Sequence, residues 1–197
     1  MMKKGLLLFL VLALGAVAFA APTNLALNKE YVFNIDASPS YPDNGSKLTD
    51  GVYASALNYA DRNYLAHLRE DFRIVIIDLE GVYKLDKVLA NFLNQQDVGA
   101  ARPDMLSLAV SEDGRRWKVL DYAEIFEDEL PIEGTYVHQF ELDASGSKAR
   151  FVAVKISVRV WAFMDEIEVL GDLESKEEST AKADIWDIDF EEIEFDF

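Results

Sequence analysis

The sequence predicts an all-β domain of two packed antiparallel sheets, and three observations carry that prediction. Short apolar runs, alternating or β-branched, recur from Asn24 to Gly171. Turn-forming pairs such as Glu80-Gly81, Asp113-Gly114 and Glu133-Gly134 separate them. Helix signals are scarce, and many short strands spaced by turns build a sandwich or a barrel. The composition agrees: 50% of the 197 residues are hydrophobic and 12% aromatic, enough for a real core. There is no cysteine, so packing must supply the stability that disulfides give many exported domains.

The elements follow in order. Met1 to Lys4 is a short basic start, Leu6 to Leu14 is unbroken and apolar, and Ala18-Phe19-Ala20 closes with small residues. That order predicts a secretory signal peptide over residues 1–20, cut after Ala20. The apolar stretch is shorter than the ~20 residues that span a bilayer, so no membrane insertion is expected after cleavage. Residues 21–171 form the predicted sandwich. Phe72 to Leu79 is β-branched and almost wholly apolar, the pattern of a strand buried on both faces. Lys84 to Leu93 resumes after Glu80-Gly81. Leu106, Leu108 and Val110 alternate with small or polar neighbours, and Trp117 to Leu120 returns after Asp113-Gly114. Tyr122 to Leu130 is expected to make a helical turn or two before Pro131 stops it. Tyr136–Leu142, Phe151–Val158 and Phe163–Leu170 supply three further strands.

Beyond Gly171 the composition changes. Residues 172–183 read as a charged linker, and Asp184 to Phe197 interleave acids with large apolar residues. Ile188 and Phe190, then Ile193, Phe195 and Phe197, fall at a spacing of two. Two readings stand: a tail that is disordered or adds a strand to its own sheet, and a peptide that adds a strand to an envelope protein partner.

Charge narrows the partners. Nineteen basic against 36 acidic residues give −17, and loss of Lys3 and Lys4 with the signal makes the mature chain more negative still. Such a field repels nucleic acid and anionic lipid. Catalysis has little support. His67 and His138 are the only histidines, and G-x-S-x-G, H-E-x-x-H and phosphate-binding glycine motifs are missing. The adjacent acids Asp165 and Glu166 should point to opposite faces of a strand, so they cannot flank one bond. A non-catalytic binding protein, secreted, periplasmic or on the cell surface, is the expectation.

Six segments, in order, resemble discoidin domains, also called coagulation factor V/VIII type C domains. They are Asn24-Leu25-Ala26-Leu27-Asn28-Lys29, Leu48-Thr49-Asp50-Gly51, Ile76-Ile77-Asp78-Leu79-Glu80-Gly81, Ser111-Glu112-Asp113-Gly114-Arg115-Arg116-Trp117, Ala149-Arg150-Phe151-Val152-Ala153-Val154-Lys155 and Asp165-Glu166-Ile167-Glu168-Val169. Glu80 intervenes before the glycine of that family's D-L-G strand end. The variant is most similar to bacterial secreted forms that resemble carbohydrate-binding modules. The resemblance implies a galactose-binding-like jelly roll, with Trp117 closing the sandwich and a sugar site in loops at one end. Aromatic faces and polar groups suit such a site. Among loop residues that include Tyr41, His67, Gln95 and Phe163, the preferred ligand contacts are Tyr59, Tyr64, Arg69 and Trp161. The resemblance also implies a structural Ca2+ held by the Asp50 carboxylate, carbonyls at Lys47 and Val52, Ser55 and Glu166. Calcium favours such oxygen-rich sets.

Overall fold

The computed structural model describes residues 22–54, 57–69, 72–125, 134–179 and 183–195. The predicted signal peptide, its cleavage site, Ser55 and the stretch 126–133 lie outside the described residues. The strands are β1 (Thr23–Asn24), β2 (Tyr31–Phe33), β3 (Leu65–Leu68), β4 (Arg73–Gln95), β5 (Met105–Ser111), β6 (Lys118–Glu124), β7 (Thr135–Asp143), β8 (Lys148–Ile156) and β9 (Trp161–Glu177).

The 23-residue β4 belongs to both layers. Its first leg pairs with β2 and β8, and its second leg pairs with β7 and β9. Between Asp78 and Tyr83 the register against β8 shifts and the chain crosses over. Glu80 takes a left-handed φ of 61° there, and its N–H donates to Asp78 Oδ1 at 2.8 Å. The first layer runs β2, β4, β8, β5, β6. The second runs β7, β4, β9, with β1 and β3 on the far edge of β9. All of these pairings are antiparallel, and the predicted all-β sandwich is what the chain forms.

Strand alternation builds the core. Val75, Ile77, Val152, Val154, Leu106 and Leu108 face inward from the first layer and meet Val88, Ala90, Phe92, Met164, Ile167 and Val169 from the second. Each of these side chains except Ala90 contributes about 1.5–3 kcal/mol by leaving water. The opposite face of the first layer is apolar too, with Val32, Ile74, Ile76, Ala109, Phe151 and Ala153 in one cluster. That is why 72–79 reads as buried on both sides.

The cover for that outer face is the C-terminal segment. Residues 183–195 lie across it in two one-turn 3₁₀ helices, Ile185–Asp187 and Phe190–Glu192. The Asp184 and Asp189 carboxylates cap them, accepting from the N–H groups of Trp186 at 3.1 Å and Glu191 at 2.9 Å. The described tail is thus neither disordered nor a strand, because these caps bend the backbone back every few residues. Three further expectations change. Tyr122–Glu124 is part of β6, paired with Met105–Ser107, and not a helical turn. The last strand continues to Glu177, past the expected boundary at Gly171, because β4 also reaches Val82 to pair with it. Trp117 packs on the outer cluster with Val119, not between the sheets.

Candidate functional site

At the end where β4 stops and β9 starts, Leu93 pairs with Phe163, and Ala100 bridges Gln95 and Trp161. The Trp161 N–H donates to Gly99 O at 3.2 Å, and the Ala101 N–H donates to Trp161 O at 2.9 Å. Gly99 sits at φ 80°, the left-handed conformation that ends the turn Gln96–Val98. These bonds fix the indole above Phe163, 6.0 Å between ring centroids.

Phe163 is the hub of an aromatic cluster. Tyr41 lies 4.6 Å from it, Tyr59 6.0 Å and Tyr64 6.2 Å, all edge-on. Tyr41 also meets Trp161 at 5.4 Å. Edge-on packing is the favoured geometry for rings, so the cluster is self-supporting. The loop before β3 brings the tyrosines in: the Ser38 N–H donates to Ala66 O at 2.8 Å, and the Ala66 N–H to Tyr41 O at 3.1 Å. The Tyr59 N–H reaches Gln95 Oε1 at 3.4 Å. Phe163 and Tyr64 are buried, whereas Tyr41, Tyr59 and Trp161 keep part of their surface in water.

Of the preferred ligand residues, the structure brings Tyr59, Tyr64 and Trp161 into this cluster. Tyr64 is only 1% exposed and forms its floor. Arg69 is exposed beside it, its N–H donating to Val160 O at 2.6 Å. Ala100, which ties two strand ends together, carried no signal in the sequence, since only the fold gives an alanine that role. His67, expected in a loop, is buried in β3. The surface combines aromatic edges with a side-chain amide and a guanidinium, chemistry suited to sugar C–H groups and hydroxyls.

Below it, the loop 47–54 docks on β9. The Gly51 N–H donates to Glu166 Oε2 at 3.1 Å, and the Ala54 N–H to Asp165 Oδ2 at 2.8 Å. The Ile167 N–H donates to Leu48 O at 2.8 Å. A register shift opposite Ala90 and Phe92 lets both adjacent acids meet one loop, contrary to simple alternation. Asp165 and Glu166 are 2% and 1% exposed, too deep to flank a glycosidic bond. Burial raises both carboxyls, Glu166 to about 8, with the charges of Asp50 and Asp165 adding to its shift. Among the described residues, Asp165 Oδ1 and Glu166 Oε1 are buried with no hydrogen-bond partner. Asp50 Oδ1 accepts from the Val52 N–H at 2.9 Å, while the Lys47 ammonium donates to the carbonyls of Pro42 and Tyr64. Among the described residues, no three His, Asp or Glu side chains converge on a metal position. A cation here would therefore rest partly on backbone carbonyls.

A pocket of about 520 Å³ opens at the opposite end, lined by Ser111, Asp113, Arg116, Lys118, Ser147 and Lys148 among others. Arg116 is paired with Asp113 at 2.8 Å and Lys148 with Glu177, so two of its three lining cations are already engaged. Among the described residues, no aromatic ring lines it.

No family model and no curated protein matches the sequence. Solved structures do. A fucose binding module of Streptococcus pneumoniae superposes with a TM-score of 0.56 at 17% identity, covering 77% of this chain and 96% of that one. A Clostridium perfringens module, CpGH89CBM32-4, in complex with glcNAc-alpha-1,4-galactose, gives 0.51 at 14%, covering 78% and 97%. A Ruminococcus gnavus GH29 fucosidase gives 0.52 at 16%; 82% of this chain matches 28% of that enzyme. The likeness establishes the fold, an antiparallel β-sandwich of the kind these modules have. Some of these matches are modules on their own and some are parts of glycoside hydrolases.

Proposed function

We propose that this protein is a non-catalytic, exported module that binds a carbohydrate through the aromatic end of its sandwich. The observation that carries the reading is the cluster of Tyr41, Tyr59 and Trp161, partly open to water and braced on buried Phe163. A shallow site of this kind gives a Kd of roughly 10 µM to 1 mM. A glycan array with the unmutated chain and with Trp161→Ala is the test. Tyr122→Ala serves as control, since Tyr122 is 63% exposed on β6 and is not one of the cluster's rings. Loss of signal on Trp161→Ala alone is expected; equal signal from all three chains would sink the reading. For export, the mature protein should begin at Ala21 on N-terminal sequencing.

The reading includes a structural calcium held by Asp50, the carbonyls of Lys47 and Val52, Ser55 and Glu166. It is supported by the partnerless buried oxygens of Asp165 and Glu166, which a hard cation would satisfy. The ion would tie the loop to β9 and neutralise both acids. Stabilisation by calcium that sodium chloride cannot reproduce tests it.

A second reading, assembly with an envelope protein through Asp184–Phe197, has one observation in its favour. Trp186 stands 69% exposed, whereas Ile185, Ile188, Phe190, Ile193 and Phe195 of the same segment pack inward. Trp186→Ala should then abolish co-purification of the partner while glycan binding is retained.

A further inference from the structure

The outer face of the first layer is built like a receptor. Sheet faces that meet water carry polar side chains, yet this one presents Val32, Ile74, Ile76, Ala109, Phe151 and Ala153. Left open, a contiguous apolar patch of this kind binds something. The chain fills it with its own residues 183–195, burying Ile185, Ile188, Ile193 and Phe195 to between 3% and 8% exposure.

The way the segment is held is informative. Its backbone hydrogen bonds run within the segment: Asp187 N–H to Asp184 O, Ile188 to Ile185, Glu192 to Asp189 and Ile193 to Phe190. Among the described residues it shares no ladder with the sheet beneath, so it can leave without breaking sheet hydrogen bonds. Side chains attach it, and charge guides it. The segment carries six acids and no base. On β8, the Lys155 ammonium lies 5.3 Å from the Phe195 ring, and Arg150 is within electrostatic reach of Asp184. Gly114 makes room: a Cβ there would stand 3.0 Å from Ala183 Cβ and 3.4 Å from Ile188 Cδ1.

We propose that residues 183–195 are an exchangeable segment, filling this face in cis and equally able to fill it on a second copy, so that two chains join by trading C-terminal segments. The contacts are the same in cis and in trans, which is what makes such swapping inexpensive in free energy. Only the tether of Glu178 to Lys182 distinguishes them. A short tether gives an effective concentration in the millimolar range, so the cis form dominates at micromolar protein. The inference does not depend on carbohydrate binding.

Two full-length variants test it at ~150 mM salt, where the repulsion between acidic copies is screened beyond about 8 Å. Ile188→Asp unseats the segment and leaves the face open, whereas Ala153→Glu blocks the face and leaves the segment free. Each alone should be monomeric by light scattering, and a mixture at ~50 µM, far below the millimolar range of the cis tether, should form a 1:1 pair. No pair from two variants with native circular dichroism, or a homodimer of either alone, would overturn the proposal. Should either variant fail to fold, the unmutated chain decides. Refolded at ~1 mM, near the effective concentration of the tether, it should give a dimer that persists on dilution. A monomer at every concentration refutes exchange.

Discussion

His67 shows how one buried side chain makes the fold sensitive to acid. It is 1% exposed on β3, edge-on to Phe33 at 4.9 Å. Burial and the Arg73 guanidinium lower its pKa from 6.5 to about 4, against a weaker upward pull from the Asp36 backbone. In the unfolded chain it titrates near 6.5. Between those values the unfolded state binds a proton that the folded state refuses. The contribution of His67 is therefore full above about pH 6.5 and falls as pH drops toward 4. At pH 4.5 the loss from this group is about 2.5 kcal/mol. Denaturant unfolding at pH 7 and 4.5 should show that difference shrinking in His67→Leu; equal pH dependence in both chains would remove His67 as the cause. The residue was not legible as buried, because Leu65 to Leu68 is too short to show a period. At the Asp78 to Gly81 turn the sequence signals a turn but not its details. The left-handed residue is Glu80, where the D-L-G pattern would place glycine.

Among elements, β4 was read as two strands with a turn, and its course between layers agrees with that reading. One ion pair secures the crossover. Arg150 of β8 donates through Nε to Asp78 Oδ1 at 2.8 Å and through Nη2 to Oδ2 at 2.6 Å. The two side chains are only 16% and 10% exposed. Removing one partner strands the other charge in a poorly solvated place, which typically costs 3–5 kcal/mol. Asp78→Ala should thus lose about 3 kcal/mol in equilibrium unfolding, whereas Lys87→Ala, whose pair with Glu141 lies at the surface, should lose far less. Similar losses from both would mean that Asp78 acts only as a turn acceptor for Glu80. The tail shows the limit of periodicity. Ile188, Phe190, Ile193 and Phe195 match a strand spacing, yet Asp184 and Asp189 cap helical turns between them. Alternation says which residues seek cover, and local capping decides the backbone that delivers them.

For the whole molecule, charge and the cation reading meet. A chain at −17 is destabilised by its own field, so any salt should stabilise it through screening. A calcium held between loop 47–54 and β9 would add a stabilisation of a different kind, dependent on the ion and not on ionic strength. The spacing of Asp50 and Glu166 made this region visible in the sequence only through resemblance. That Asp165 also turns into it depends on a register shift that no spacing announces. For a site with a Kd of about 0.1–1 mM, 10 mM calcium stabilises by roughly 1.4–2.7 kcal/mol. In a domain of this size that corresponds to about 3–10 °C in Tm. The measurement is thermal unfolding of the chelated protein in 10 mM calcium chloride and in sodium chloride of matched ionic strength, about 30 mM. A larger shift with calcium, lost in Asp50→Ala while the sodium response is kept, is the expected pattern. Matching shifts from the two salts would mean that the field of the whole molecule, and no bound ion, is being relieved.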